Sequence, residues 1–413
     1  MARRRHPHPI EHNLLLTATL CLLAAGAVMV FSASSARTLL SGQGDGTSYL
    51  IRYVGYGAIG FVALQVVARR GLELVPRITG PLLGASFVAL LLVKIPGFGV
   101  EVNGARRWLG AGPVVFQPSE VMKLALVLYS AKLLAERNLK WRHPREIGPV
   151  LLVALSAAAL VATQPDLGTA LVMSFTLCAL LVAAGMPLRW LAIGAGAGAA
   201  VILLLALAEP YRRARLMTFM DPWAHASDAG FQSVQGQIAL GSGGLFGRGL
   251  GQSLQKNLFL PEAHTDFILA ILGEELGVLG IFGVLALYGM LAYAGLRVAR
   301  NAAGRYAKLL AAGITSLFLS QALLNVFTVL GLAPLTGVPL PFISYGSTNL
   351  IVLLVGMGLL LNIASGGNVK LRAVPDARGS RRHGAGRTDD RDRRRRDSRA
   401  RGAGAGGRRR AAG

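Results

Sequence analysis

The chain has 413 residues, of which 53% are hydrophobic and only 15% are charged, and its mean hydropathy is +0.50. This composition excludes an ordinary soluble domain, and apolar runs long enough to cross a bilayer as helices recur along the chain. The runs do not alternate apolar and polar residues, which excludes a spanning β-barrel. The sequence therefore predicts an all-α polytopic membrane protein. Cys21 and Cys178 lie inside apolar runs and indicate neither a disulfide nor a thiol metal site.

Ten apolar runs predict ten transmembrane helices, near residues 13–33, 49–68, 78–95, 119–135, 147–163, 167–185, 190–208, 267–294, 309–330 and 347–364. The first run is not expected to be a cleavable signal peptide, because it is long and no clear cleavage site follows it. Ten spans with both termini in the cytoplasm, beginning with a short N-terminus at 1–12, place most Lys and Arg of the short loops on the cytoplasmic side, as the positive-inside rule requires.

The net charge of +23 is unevenly distributed along the chain. From Lys370 to the end there are sixteen Lys or Arg and five Asp, a net +11. This part is rich in Arg, Gly and Ala and has no apolar periodicity, so 366–413 is predicted to be a disordered basic cytoplasmic tail. Nucleic-acid binding is an alternative, but contact with anionic lipid is the simpler interpretation, and no nucleic-acid partner is predicted.

The longest polar segment inside the predicted membrane domain (13–365) is the loop at about 209–266, between the seventh and eighth helices, and the ten-span arrangement places it outside the cell. Loops of this length are typically lids or binding loops. The loop opens with three arginines and closes with three ionisable side chains: Arg212, Arg213 and Arg215, then Glu262, His264 and Asp266.

Basic residues on the predicted outer side oppose the topology signal and need another explanation. Besides Arg212, Arg213 and Arg215 they are Arg106 and Arg107, together with Arg248 and Lys256 later in the long loop. They could contact lipid phosphates at the interface, or they could hold a specific anionic substrate, since Arg matches phosphate oxygens bidentately. Two arginine clusters on one side of the membrane favour the substrate.

Two charged residues, Glu120 and Lys123, lie on one face of the fourth predicted span. They could form an internal ion pair that joins helices, but a charge inside a span costs at least ~3 kcal/mol, which favours a functional site. Asp166, in QPDLGTA, could cap the sixth helix or belong to the same site. The buried-looking Glu274 and Glu275 of GEELG are assigned a structural role.

The segment LPEAHTDF (260–267) is the strongest catalytic candidate. Pro261 suits a helix start, which would put Glu262 and Asp266 one turn apart on one face. Asp266 would then lie at the outer mouth of the eighth span, where partial desolvation can tune a carboxylate as a general base. His264 could be a second base or a structural histidine. A metal site made of these three residues is conceivable, although the spacing matches no zinc motif.

The glycine-rich run GSGGLFGRGLG (241–251) lacks the GK[ST] ending of a nucleotide-binding P-loop and predicts tight turns instead. The sequence contains no nucleotide, metal or flavin motif. Any chemistry must therefore use an already activated substrate.

Several motifs occur together in a recognisable order: VMVFSASSA, NGARRWLGAGPVVFQPSEVMKLALVLY, QPDLGTALVM, RARLMTFMDPW, GSGGLFGRGLGQS, LPEAHTDFILAILGEELG and PLTGVPLPFISYG. In this order they resemble the SEDS family (FtsW, RodA and SpoVE), over about residues 10–365. The resemblance implies peptidoglycan glycosyltransfer, in which lipid II is polymerised on the outer face of the cell membrane. It also implies a class B penicillin-binding transpeptidase and other division proteins as partners.

The resemblance implies roles for individual residues. The functional carboxylate of the family falls on Asp266, and its charged substrate-contacting positions fall on Arg106, Arg107, Glu120, Lys123 and Arg215. The neighbouring Arg212, Arg213, Glu262 and His264 complete the predicted substrate-binding set. A divalent cation, Mg²⁺ or Mn²⁺, would help to neutralise the pyrophosphate, although the sequence shows no dedicated site for it.

Within the family, MTFMDPW and PEAHTDF resemble the division branch, FtsW, whereas TGVPLPFISYG is closer to the elongation branch, RodA, and GSTN (346–349) departs from the usual GGSS. The balance favours a septal polymerase. A lipid II flippase is the rival hypothesis, because the same cationic cavity would serve it. A flippase needs no proton acceptor at the outer mouth, and a non-catalytic scaffold leaves the outer arginines unexplained.

Overall fold

The computed structural model describes residues 9–40, 46–70, 72–102, 105–111, 114–137, 147–208, 213, 217–227, 230–256 and 260–367. Arg212 and Arg215, two of the predicted substrate-binding residues, lie outside the described residues, as do 1–8 and nearly all of the predicted basic tail.

Ten helices of 15 to 34 residues dominate the described part of the chain. With one shorter helix, α8, they are α1 (Ile10–Leu40), α2 (Ser48–Arg70), α3 (Val75–Leu92), α4 (Pro118–Glu136), α5 (Gly148–Ala162), α6 (Leu167–Ala183), α7 (Leu188–Ala208), α8 (Phe231–Ser242), α9 (Ile268–Asn301), α10 (Arg305–Val329) and α11 (Ser347–Ala364). Each long helix coincides with one of the ten predicted spans. Six of them, α1 to α3 and α9 to α11, are long and apolar enough to cross a membrane by length and composition alone.

Helices α10 and α11 form the centre of the bundle. In each of these two helices, 78% of the most apolar 18-residue stretch is buried inside the protein. The corresponding value is 17% for α2, which packs on the outside of α11. One end of this contact is fixed by Asn362, whose Nδ2 donates to the carbonyl of Ala68 at 2.7 Å. The residues carried by α10 and α11 are therefore the ones that can reach most other elements.

A small antiparallel sheet between α3 and α4 departs from the all-α prediction. Its strands, in the order β1-β2-β3, are β1 (Gly99–Val102), β2 (Ala105–Ala111) and β3 (Val114–Phe116). The sequence carried a signal for it, since Asn-Gly between two β-prone runs is typical of a tight hairpin. Successive side chains of a strand point to opposite faces, so Arg106 and Arg107 are directed to different neighbours.

Helix α9 is interrupted at Gly277, whose backbone (φ 66°, ψ −165°) is not helical. The glycine-rich run packs against this interruption: the amide of Gly249 donates to the carbonyl of Glu275, and the amide of Val278 donates to the carbonyl of Gly244, both at 3.0 Å. The backbone groups that the kink releases are thus paired again, as a membrane helix requires. Gly244 and Gly249 have positive φ, which agrees with the predicted tight turns.

The buried carboxylates of Glu274 and Glu275 hold the same loop in place. Glu274 accepts hydrogen bonds from the Ser253 hydroxyl (2.5 Å) and the Leu254 amide (3.0 Å). Glu275 accepts from the Ser32 hydroxyl of α1 (2.6 Å) and pairs with Lys256 Nζ (3.0 Å). Buried charges are tolerated only when paired in this way. The structural role predicted for these two glutamates therefore agrees with their contacts, and Lys256 shares it.

Candidate active site

The charged pair of α4 lies in the middle of the bundle. Pro118 starts this helix, and one turn later Lys123 Nζ lies 2.9 Å from Glu120 Oε2, with both side chains only 2% exposed. Lys123 Nζ also donates to Gln321 Oε1 of α10, at 2.9 Å. The cation is therefore desolvated and held between two helices.

Gln321 extends this network to the segment 337–345 (GVPLPFISY), which connects α10 to α11. Its Nε2 donates to the carbonyl of Pro339 at 2.9 Å and to Asn349 Oδ1 at 3.1 Å. Lys123 is thus linked through one amide side chain to the backbone of the connecting segment.

The segment that carries Asp266 is a series of turns, which corrects the predicted helix start at Pro261. Residues 261–267 form turns, and α9 begins only at Ile268. Glu262 has a left-handed backbone (φ 54°), so a helix cannot pass through it. The two carboxylates nevertheless converge, because the Thr265 hydroxyl oxygen lies 3.1 Å from Asp266 Oδ1 and 3.4 Å from Glu262 Oε2.

Asp266 is half-buried and is fixed through its main chain. Its carbonyl accepts a hydrogen bond from Asn325 Nδ2 at 2.7 Å, and the same Nδ2 donates to the carbonyl of Val338 at 2.8 Å. On the other side of the carboxylate, Gly337 adopts φ 69°, and a Cβ at this position would lie 3.9 Å from Asp266 Oδ2. The carboxylate therefore lies against the start of the segment 337–345.

The structure thus brings the α4 charges and Asp266 into one network. Gln321 and Asn325 are one turn apart on α10, and they reach Pro339 and Val338, which are adjacent. Asp166 borders the network: it caps α6 by accepting from the Thr169 amide at 3.2 Å, and Gln117 Nε2 lies 3.4 Å from its other oxygen.

The two arginines of β2 have different neighbours. Arg106 is 48% exposed and pairs with Glu101 of β1 at 3.0 Å. Arg107 Nε donates to the carbonyl of Gln164 at 3.1 Å, and a second guanidinium nitrogen reaches the carbonyl of Pro165. Arg107 therefore ties the sheet to the turn that carries Asp166, whereas the Arg106 guanidinium is the one open to an incoming ligand.

The remaining predicted residues are Arg213, which is exposed, and His264, whose carbonyl accepts from the amide of Tyr345 at 3.0 Å. His264 is buried in an aromatic cluster, with ring centroids 4.5 Å from Tyr49 and 5.6 Å from Tyr345, which favours the structural alternative for this histidine. Among the residues that the structure describes, no group of three or more His, Cys, Asp or Glu is arranged to hold a metal ion.

A family model described as cell cycle protein, covering FtsW, RodA and SpoVE, matches residues 12–368. The chain belongs to this family. Its helices and its membership make it a multi-pass membrane protein.

Relatives of the FtsW/RodA/SpoVE family cover nearly the whole membrane domain. The chain is 38% identical to a probable peptidoglycan glycosyltransferase FtsW of Geobacter sp. (strain M18), over 85% of this chain and 96% of the relative. It is also 38% identical to the stage V sporulation protein E of Bacillus subtilis (strain 168), with the same two coverages.

Solved structures of the family have the same fold. A chain from a peptidoglycan synthase complex, described as coordinating polymerization and crosslinking, aligns with a TM-score of 0.72 at 29% identity, over 86% of this chain and 98% of that one. The rod shape determining protein RodA of Thermus thermophilus aligns with a TM-score of 0.63, also at 29% identity, over 86% and 97%.

Sequence reasoning missed Gln321 and Asn325, the two amides that join the family's predicted charged residues. A signal was present, because two amide side chains four residues apart lie on one face of the membrane-length helix α10. Polar side chains in a membrane helix usually bond to a neighbouring element, so this spacing indicates a contact face.

Proposed function

We propose that this protein is a peptidoglycan glycosyltransferase that polymerises lipid II into glycan strands. The observation that carries the proposal is that two side chains of α10 link both candidate groups to one segment. Gln321 accepts from the desolvated Lys123 and donates to the carbonyl of Pro339, and Asn325 donates to the main-chain carbonyl of Asp266 and to the adjacent carbonyl of Val338. A fixed cation and a fixed proton acceptor are the two groups that transfer of a sugar from a pyrophosphate requires. The names of the relatives and of the structural neighbours support the same activity.

In the proposed reaction, Asp266 accepts the proton of the 4-hydroxyl of the acceptor sugar. The oxygen attacks the anomeric carbon of the donor lipid II, forming the new C–O bond with inversion to a β-1,4 linkage. The bond between that carbon and the pyrophosphate oxygen breaks, and undecaprenyl pyrophosphate leaves with the electron pair. Glu262 shares the Thr265 hydroxyl with Asp266 and is the second carboxylate of this site.

Positive charge stabilises the departing pyrophosphate in this proposal. Arg106 has the solvent access needed to contact a phosphate in place of Glu101. Arg212, Arg213 and Arg215 of the long loop are proposed to add to this positive charge. Lys123 acts through its field from behind the site, since it is buried against Glu120. Arg107 is proposed to position the sheet, because two of its guanidinium nitrogens donate to carbonyls of the α5–α6 turn.

We also propose that a divalent cation, Mg²⁺ or Mn²⁺, assists by neutralising pyrophosphate charge. Glu262, whose Oε2 lies 3.4 Å from the Thr265 hydroxyl oxygen, is the carboxylate beside Asp266 that would hold it. A single carboxylate leaves most of the coordination to substrate oxygens and water, as Mg²⁺ prefers. Loss of polymerisation in EDTA, restored by added Mg²⁺ or Mn²⁺, is the expected result, and full activity in EDTA would contradict it.

The proposed setting is the outer face of the cell membrane at the division septum. Ten crossings with both termini cytoplasmic would place the long loop, the sheet and Asp266 outside, together with lipid II. We propose a class B penicillin-binding transpeptidase as partner, supported by the structural neighbour in which polymerization and crosslinking are coordinated. Other division proteins would complete the assembly, and elongation by a RodA-like complex is the alternative role.

Polymerisation in detergent separates this function from the flippase alternative. A micelle has no two leaflets, so glycan polymer formed from purified lipid II by the solubilised protein with its partner can arise only from catalysis. Polymer is the expected product. Movement of lipid II across the membrane of reconstituted vesicles, with no polymer in either preparation, would overturn the proposal in favour of a flippase.

A further inference from the structure

The segment 337–345 crosses the centre of the bundle with little regular structure, and four of its backbone carbonyls accept hydrogen bonds from side chains of the surrounding helices. Val338, Leu340, Phe342, Ile343 and Ser344 are all buried. Two prolines, at 339 and 341, prevent the segment from making a regular backbone ladder. Buried carbonyls in such a segment need donors from elsewhere.

Four buried side chains from three helices supply these donors, one to each of four carbonyls. They are Asn325 to Val338 (2.8 Å), Gln321 to Pro339 (2.9 Å), Tyr288 to Pro341 (2.5 Å) and Tyr53 to Phe342 (2.5 Å). The segment is therefore held at fixed points along its length by α10, α9 and α2.

Asn325 differs from the tyrosine donors because its amide also reaches the reaction site. Its Nδ2 donates to the carbonyl of Asp266 as well as to that of Val338. Both acceptors of Asn325 are carbonyls, so the amide must present its NH₂ group to them.

These contacts join the two pieces of backbone that flank the Asp266 carboxylate. One is the turn that carries Asp266 itself, and the other is Gly337–Val338, where Gly337 lies beside Asp266 Oδ2. We propose that Asn325 is a positioning residue for Asp266: it fixes the distance between that carboxylate and the segment 337–345. The inference rests on the proposed role of Asp266 as the proton acceptor.

The test compares Asn325→Leu, which keeps the approximate size of the side chain but donates no hydrogen bond, with Tyr288→Phe. The tyrosine variant removes an equally buried hydrogen bond to the same segment, at Pro341, without a bond to the Asp266 turn. A displacement of about 1 Å in a reacting group costs about 10²-fold in rate, so Asn325→Leu should lower kcat by about that factor with little change in KM. Tyr288→Phe should retain a kcat close to that of the wild type.

Repeating the Asn325→Leu substitution in the Asp266→Glu variant separates a positioning role of Asn325 from a general effect on stability. In Asp266→Glu the carboxylate is already displaced, so adding Asn325→Leu should cost much less than it does in the wild type, because residues that act through one group are not additive. A purely structural Asn325 would cost the same factor in both backgrounds. Asn325→Asp provides a second variant of the same shape, whose oxygens would face two carbonyls, and it should also lower kcat.

Equal losses of kcat in Asn325→Leu and Tyr288→Phe would overturn the positioning role. The same loss of kcat from Asn325→Leu in the wild type and in Asp266→Glu would also overturn it. If Asn325→Leu does not fold, as judged by size-exclusion chromatography in detergent, the comparison is made with Asn325→Asp. Failure of this inference can be told apart from failure of the proposed function. If the wild type makes polymer, Asp266→Asn makes none and Asn325→Leu has a near-normal kcat, only the positioning role is removed.

Discussion

Lys123 and Asp266 differ in their access to solvent, and this difference decides which part of the reaction each can serve. Asp266 is half-buried at the edge of a turn, so a sugar hydroxyl can reach its carboxylate. Lys123 is enclosed with Glu120 and Gln321 and can act on a ligand only through its electrostatic field. The charge that it contributes depends on how completely Glu120 balances it.

Removing one partner of the buried pair should destabilise the protein strongly. Glu120→Gln leaves the Lys123 ammonium buried without its carboxylate, and breaking a buried pair in this way costs about 3–5 kcal/mol. Adding Lys123→Met should recover much of the loss, because the uncompensated charge is then gone. Thermal unfolding in detergent measures both effects.

Arg297→Gln is the matched control, since it breaks the more exposed ion pair with Glu11 and should shift the unfolding midpoint little. Equal shifts for Glu120→Gln and Arg297→Gln would show that the interior pair is hydrated in solution.

Arg106→Ala should weaken the use of lipid II while leaving the protein folded. A lost charge-assisted contact with a phosphate corresponds to roughly ten- to hundredfold in kcat/KM. Arg300→Ala, at the opposite end of the bundle, is the control for loss of one positive charge. A normal kcat/KM in Arg106→Ala would contradict the substrate contact and favour the alternative, in which this arginine contacts lipid headgroups.

At the scale of elements, the kink of α9 and the glycine-rich loop form one unit. Gly277 and the loop approach so closely that a Cβ on Gly277 would lie 2.4 Å from the amide nitrogen of Gly247. The carboxylates of Glu274 and Glu275 fasten the same loop from the side. The long loop is therefore anchored to the helix that begins just after Asp266.

Gly277→Ala should disrupt this anchoring. A non-glycine residue forced to φ 66° costs about 1–3 kcal/mol, before the steric conflict with the loop is counted. Gly283→Ala, in the same helix with nothing within 4 Å of its Cβ, should be neutral or slightly stabilising. Limited proteolysis of the loop and thermal unfolding compare the two variants, and equal behaviour would mean that the loop is not docked in solution.

The helices were predictable because long apolar runs directly reflect burial in a bilayer, and the predicted run at 347–364 matches α11 residue for residue. The kink at Gly277 and the turns at 261–267 were not predicted, since each depends on contact with a distant segment. The sheet was missed for another reason: its strands pair with their neighbours in sequence, and the Asn-Gly hairpin signal between the first two was overlooked. Glu120, Lys123 and Asp266 stood out as charges in apolar surroundings. Gln321 and Asn325 did not stand out, because their role depends on the carbonyls to which they donate, and only the folded structure shows which carbonyls those are.

The proposed topology of the molecule assigns each loop to one side of the membrane. A reporter inserted within 224–235 should be accessible from outside the cell, and one within 299–306 should be cytoplasmic, because the positive-inside rule assigns the end of α9 that carries Arg297 and Arg300 to the cytoplasm. Both reporters on one side would contradict the ten-span arrangement and the argument from the outer arginines.

The most direct test of the central claim is the yield and length of glycan polymer made from lipid II by Asp266→Asn with the wild-type partner. The asparagine keeps the shape of the side chain but accepts no proton at neutral pH. Polymerisation should fall by the ~10²–10⁴ typical of a lost general base, with membrane insertion and partner binding unchanged. Near-wild-type polymer from Asp266→Asn would remove Asp266 from the mechanism and make Glu262 the next carboxylate to test.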